Sequence, residues 1–485
     1  MRLFVLALYI FAVAAVGLCA ETTETEYYAI RLDGKKIGHV VQTRRIKDGV
    51  VTTAEDMTMT LARSGAAITV AMLEKSIETS KGKPIAFEVV QNISGVSQKT
   101  TGKIIGGEQA KIVTEAMGVK QERTVSFPDG ALMSEGMRLL ERQKGLKEGA
   151  SYEATVFSPA LLMAVKVAVS VGPRKEIDLF GRIARLTEVT TTMKIPTGST
   201  TSTDYVDDNH RALKTLLPTM GMTLEIIACD KQFALSSGDV VDFLDKMLLA
   251  SPVPLKDVKS LTSATYTLVP AKDAKPKIPS GDSQTAKTLP NGRITVEVKP
   301  AKAAPKVKFP YKGNKQELLE ALEPTQYLQS DNEQVVKLAR DAVGDSTDAA
   351  EAARKIESFV AGYITEKNLS VGYATVAEVA LSRQGDCTEH AVLTAAMCRA
   401  VGIPARVVFG LVYVDEFGDR KHVFGGHAWT EARIGAEWIG LDATRAPNGY
   451  GVGHIILATG SGEPADFFGM INTLGYFKIA RIDLK

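Results

Sequence analysis

The sequence predicts a multidomain protein in which an antiparallel all-β domain is followed by an α+β domain. Three observations predict it. From residue 26 to residue 235, short alternating or β-branched runs such as YYAIRLDGKKIGHVVQTRRI, VVTTAEDMTMTLA and IAFEVVQNIS are separated at regular intervals by Gly, Asp, Asn and Lys. That is the pattern of an antiparallel meander, sandwich or open barrel. After residue 324 the apolar period changes from two to that of a helix. Between the two regions the composition shifts to proline and lysine. A chain of 485 residues also exceeds what one hydrophobic core usually serves.

The first element is MRLFVLALYIFAVAAVGLCA, with one arginine, an apolar run too short to span a bilayer, and small residues at its end. It reads as a signal peptide over 1–20, cut near Ala20, so the mature protein is expected to be exported, periplasmic or extracellular. Lipid attachment at Cys19 is disfavoured because Leu18 stands where a lipoprotein cleavage box wants a small residue. No later apolar run is long enough to predict a transmembrane helix.

The β-rich domain is expected over 21–250, interrupted by one helix at 131–144. It holds no constellation of histidine, cysteine and acidic residues, and His39 and His210 stand isolated in it. The stretch 251–323 contains PAKDAKPKIPSGDSQTAKTLPNGRITVEVKPAKAAPKVKFPYKGNK. Proline blocks helix and lysine stays hydrated, so it reads as a semi-extended linker. A strand pair of TSATYTLV with RITVEVK is compatible with it.

The last domain is expected over 324–485. Ser330 and Glu333 have the spacing of a capping box before NEQVVKLARDAVG, which closes at Gly344. In DAAEAARKIESFVAGYIT, Ala349, Ala352, Ala353, Ile356, Phe359, Val360, Tyr363 and Ile364 fall on one stripe, as in a helix packed on a core. Thr375 and Glu378 make a second capping box, for a short helix ending near Gly385. Asp386 and Glu389 then make a third, so that Cys387 falls in the first turn of TEHAVLTAAMCRAVG. Unsatisfied amides and the helix dipole at such an end favour a thiolate, the nucleophilic form of cysteine.

Farther on, HAWTEARI and EWIGLDA flank Gly435 and Ala436, a pair suited to a type II′ hairpin. Pairing Ile434 with Glu437 places His427 opposite Thr444, with Asp442 as a diagonal neighbour on the same face. The sequence thus offers a cysteine nucleophile, a histidine to take its proton and an aspartate to fix that histidine's tautomer.

The runs GDCTEHAVLTAAMCRAVGIPARVV and GGHAWTEARIGAEWIGLDAT resemble the core of the transglutaminase-like superfamily, the papain-related Cys-His-Asp fold, over roughly 330–450. The helix start GDC, the exit GIPAR, the strand HAW and the strand WIGLDAT occur together and in order. The resemblance implies that Cys387 is the nucleophile, His427 the general base and acid, and Asp442 the orienting carboxylate. Ala443 stands where many relatives carry proline. The backbone amide of Cys387 is a natural oxyanion donor.

The expected function is acyl transfer through a thioester on peptide or isopeptide carbonyls, with hydrolysis favoured. Protein crosslinking and a non-catalytic binding role led by the β domain are the alternatives. The expected partner is a protein or peptide substrate, cell-wall-linked proteins included. A net charge of +2 gives no reason to expect nucleic acid. Cys229 and Cys398 read as small buried hydrophobes. His390, His422 and His454 read as surface or helix residues, and no metal or other cofactor is expected.

Overall fold

The computed structural model describes residues 21–485 except 64–65, 94–95, 117, 196–197, 243–247, 257, 259, 368–373, 448, 464–465, 467–468 and 471. The signal peptide expected at 1–20, with Cys19, lies outside the described residues. Among those described, no helix is long and apolar enough to cross a membrane.

A single antiparallel meander makes up most of the N-terminal half. Eight consecutive strands run from Thr22–Leu32 to Val119–Ser126, and six more from Ser151–Ser158 to Met222–Cys229. The last pairs with the first, Tyr28 opposite Ala228, which joins both runs into one long sheet. The two-residue turns are set locally. Asp33 and Gly34 link Leu32 to Lys35 with φ of 49° and 80°, and Asp48 and Gly49 link Lys47 to Val50 with φ of 50° and 75°. Two positive φ values in succession define the hairpin turn whose twist matches the strands, and Asp-Gly adopts it most readily.

Alternation sends one set of side chains inward, as in Gln109–Ala116, where Ala110, Ile112, Thr114 and Ala116 are buried. The helix expected at 131–144 spans Ser134–Lys144. Its first amides, from Glu135 and Gly136, donate to the Glu78 carboxylate at 2.6 and 3.0 Å, so a strand side chain caps it.

The expectation of a hydrated linker at 251–323 is corrected. The expected strand pair forms, Ala264–Pro270 against Ile294–Val298, with Tyr266 opposite Val296. It is extended by Gln284–Thr288 on one side and by the C-terminal strand Phe477–Leu484 on the other. Ala264, Tyr266, Leu268, Ile294, Val296 and Val298 are buried in the main core of the C-terminal half. Proline and lysine sit in the turns between the strands and conceal an alternation only five to seven residues long.

The rest of the C-terminal half is mixed α/β. Its central sheet has the order Leu249–Ala250, Arg420–Ile434, Ala405–Phe417, His454–Gly460, and Glu437–Leu441 adds to Arg420–Ile434 beyond the short first strand. The helix Cys387–Ala400 packs on this sheet, surrounded by the helices Glu333–Val343, Ala349–Tyr363 and Val376–Ser382. From Glu389 to Arg399 every residue of it is buried, which is why its sequence shows no strong amphipathic stripe.

Of the three expected capping boxes, those at Thr375 and Asp386 are present with both reciprocal bonds. The one at Ser330 is not. Asn332 is the N-cap, its side chain accepting from Gln334 and Val335 amides at 3.0 and 3.3 Å. Asparagine caps as well as serine and stands closer to the helix, so Glu333 becomes its first residue.

Candidate active site

Cys387 is the first residue of its helix, and the chain before it is held tightly. Asp386 accepts from the Thr388 amide at 2.9 Å, and Glu389 accepts from the Asp386 amide at 2.8 Å and the Ala374 amide at 3.1 Å. Glu389 is fully buried, and burial followed by the Asp386 charge pushes its carboxyl up to about 8. Gly385 has φ 154°, and a Cβ there would lie 2.2 Å from Glu389 Cβ. Glycine precedes the Asp-Cys step because the backbone passes directly over the capping side chain.

His427 lies mid-strand, opposite Gly410 of Ala405–Phe417. The hairpin register is as read from the sequence, Ile434 opposite Glu437, with φ 68° at Gly435. The strand Glu437–Leu441 ends one residue before Asp442, which caps a short 3-10 turn, Ala443–Arg445. Thr444 therefore does not pair with His427. Asp442 reaches the imidazole from the strand end, its Oδ2 accepting from His427 Nε2 at 2.8 Å. The Cys387 side chain acts on the same ring and favours its charged form. The structure thus brings Cys387, His427 and Asp442 together.

Two residues beyond this trio complete the surroundings of Asp442. Glu357, on the helix Ala349–Tyr363, accepts from the Asp442 amide at 2.6 Å. His454, expected at the surface or on a helix, is instead buried at the start of a strand, and its Nε2 donates to Asp442 Oδ2 at 2.9 Å. Sequence reasoning missed it because an irregular loop separates the two residues and no periodicity spans it. A histidine opening an apolar run, HIILATG, was the available signal.

Electrostatics follow from this packing. Burial opposes charge on His427, but the Asp442 carboxylate and the bond to Cys387 outweigh it and raise the ring to about 10. Burial likewise opposes charge on Asp442, yet His427 and His454 hold its carboxyl far below the ordinary range. His454 is pushed down by burial, against the pull of Asp442. The arrangement is a charged His427, a charged Asp442 and a neutral His454.

The ligand-capable atoms of His427, Asp442 and His454 lie within 4.8 Å of one another. Two imidazoles and a carboxylate suit zinc in chemical type. Here, however, both ring N–H groups donate to a single oxygen, so a cation would have to displace two hydrogen bonds that already satisfy the buried set.

The remaining sequence candidates lie elsewhere. Cys398 is buried in the core and Cys229 is half-buried at the end of its strand. His390 is buried on the Cys387 helix, its Nδ1 against the Asp386 carbonyl at 2.6 Å. His422 lies against Tyr413, and His39 lies in a strand.

No curated protein matches the chain. Among solved structures, a protein provisionally described as a cysteine protease from Cytophaga hutchinsonii is 19% identical, over 49% of this chain and 86% of that one, with a TM-score of 0.31. A beta-barrel-like protein of a domain of unknown function from Brucella abortus is 14% identical, over 42% and 95%, at 0.33. A structure described as a TGase is 10% identical, over 51% and 68%, at 0.21. The family model of the transglutaminase-like superfamily matches residues 336–443. The matched residues, which hold Cys387, His427 and Asp442, are similar to that superfamily's core.

Proposed function

We propose that this protein is a cysteine acyl-transfer enzyme acting on peptide or isopeptide carbonyls, glutamine-type amides included, with Cys387, His427 and Asp442 as its catalytic triad. The observation that carries the reading is the 2.8 Å hydrogen bond between His427 and the buried Asp442, with the helix-start Cys387 acting on the same ring.

With the thiol's proton already on His427, the sulfur attacks the carbonyl carbon. The tetrahedral oxyanion forms next to the helix start, where the Cys387 amide can donate to it. Collapse breaks the C–N bond, and the departing amine takes the proton from His427. A thioester remains. Water then gives up a proton to His427 as it attacks, and the acid is released with Cys387 restored. Asp442 keeps the ring oriented throughout and stabilises its charge.

The acceptor decides the outcome. Water gives hydrolysis and an amine gives crosslinking, and the fold does not choose between them. Hydrolysis is favoured because water is always present and no amine-recognising feature is evident. A role as an exported protein acting on protein or peptide substrates, wall-linked proteins among them, rests on the sequence of residues 1–20.

The test is incubation of the purified protein with a mixed peptide library, with and without a labelled primary amine, and product analysis by mass. Shortened peptides support hydrolysis and amine-labelled peptides support crosslinking. An unchanged library in both arms overturns the enzymatic reading.

A further inference from the structure

Asp442 is held by more donors than the orientation of one imidazole requires. Its Oδ2 accepts from His427 at 2.8 Å and from His454 at 2.9 Å, and its Oδ1 accepts from the Arg445 amide at 3.3 Å. His454 is 3% exposed. Its ring centroid lies 4.7 Å from that of Tyr450 and 5.1 Å from that of Trp429, the latter edge-on. The far nitrogen, Nδ1, faces Gly451, with the amide nitrogen at 3.2 Å and the carbonyl oxygen at 3.1 Å. A neutral ring that donates from Nε2 must accept at Nδ1, and the Gly451 amide supplies that bond.

His454 is also fixed from behind. The side chain of Gln284 clamps the strand two residues on, accepting from the Ile456 amide at 2.8 Å and donating to its carbonyl at 3.0 Å. The Tyr266 hydroxyl donates to the Val452 carbonyl at 2.7 Å. Both residues belong to the four-stranded sheet built from the proline- and lysine-rich segment. A polar clamp of this kind is more than a strand edge needs to pack, and it ends at the ring that touches Asp442.

We propose that His454 is a positioning residue of the site: its Nε2–H fixes the Asp442 carboxylate and draws charge from the oxygen that binds His427, so that His427 can release its proton to a departing amine. The inference rests on the acyl-transfer reading given above. A buried carboxylate facing a lone imidazolium would hold that proton too tightly for a general acid. A neutral donor on the same oxygen weakens that hold without adding a full positive charge. The titratable and charged groups around His454 are Asp442, His427, Arg445 and the Tyr450 phenol. His427 and Arg445 both disfavour a proton on it, which keeps it the neutral donor.

The test uses the full chain and reads the rate of Cys387 alkylation by iodoacetamide against pH, with turnover of a library-derived peptide beside it. His454→Phe keeps the aromatic packing and loses the donor. The upper inflection of its profile, set by His427, is expected to rise by about 0.5 to 1 pH unit. Its kcat is expected to fall about tenfold to a hundredfold with little change in KM. His454→Gln keeps an N–H donor and is expected to recover most of both. A wild-type profile and kcat in His454→Phe overturn the inference, as does an equal loss in both variants with no movement of the inflection.

Should neither variant fold, ¹⁵N-histidine NMR of the unmodified protein decides. Two downfield ring N–H signals, both lost in Asp442→Asn, support the shared acceptor, and a single signal overturns it. The two readings fail separately. If alkylation of the unmodified protein is indifferent to His427→Ala, the acyl-transfer reading falls and this one with it. If it depends on His427 but not on His454, only this one falls.

Discussion

Two buried carboxylates, Glu135 in the N-terminal half and Asp442 in the C-terminal half, are each 1% exposed and each held below the ordinary carboxylate range. Glu135 takes paired bonds from Arg44, both at 2.9 Å, and from Arg138 at 2.8 and 2.7 Å. Burial works against its charge, but the two guanidinium groups bring it down to about 2. Asp442 is satisfied instead by two imidazoles. Arginine does not release its proton in a protein, so the Glu135 cluster anchors a helix to a sheet without a partner that can give up a proton. Histidine does release it, and the same burial around Asp442 becomes a device for moving a proton. The partner's chemistry, and not the depth of burial, separates a structural carboxylate from a candidate functional one.

The comparison can be broken by mutation, beginning with the largest effect. Cys387→Ala is expected to abolish turnover on any peptide the library yields, with an unchanged thermal melt, while Cys229→Ala leaves turnover intact. Activity surviving in a natively melting Cys387→Ala protein would move the search for function to the β domain. Next, Asp442→Asn should retain the fold and lower turnover by about tenfold to ten-thousandfold, the range set by tautomer control in such triads.

Glu135→Gln sharpens the contrast from the other side. It should destabilise the protein by about 2 kcal/mol, a figure discounted because Arg44 and Arg138 keep some contact with water. Cys387 alkylation should be untouched. Denaturant melts paired with alkylation rates check this, and a change in alkylation would show that the two halves are coupled.

Among the thiols of the unmodified protein, Cys387 should be alkylated first and Cys398 last. Burial pushes Cys398 up to about 12 and also raises Cys229. Peptide mapping after a short iodoacetamide pulse gives the order.

The smallest effect is on stability against pH. The His427 ring is raised from 6.5 to about 10, so its contribution is complete below 6.5 and is lost as pH climbs through about 10. The Asp442 carboxyl is depressed, so its contribution is present above 3.8 and is lost as pH falls through its folded value. The difference in Tm between the unmodified protein and Asp442→Asn should be flat between pH 3.8 and 6.5, fall as pH rises from 6.5 to about 10, and narrow again as pH falls below 3.8. A difference that grows above pH 10 would contradict the charged pair.

What the sequence determined by itself is whatever a few adjacent residues decide. The Asp-Gly turns, the period-two strands and the capping boxes at Thr375 and Asp386 are local, because each depends on backbone groups within four residues. The same holds for the hairpin register of Ile434 with Glu437, which sets the spacing between His427 and Asp442. Tertiary structure alone decided the rest. The segment 251–323 looks hydrated because its strands are short and its turns rich in proline and lysine, and it becomes sheet only when Phe477–Leu484 returns to pair with Ala264–Pro270. His454 touches Asp442 only because Tyr266 and Gln284 of that sheet fix the strand it opens. Contacts between residues so far apart in the chain leave no periodicity to read, since their free energy comes from burial and hydrogen bonds that exist only after the core has closed.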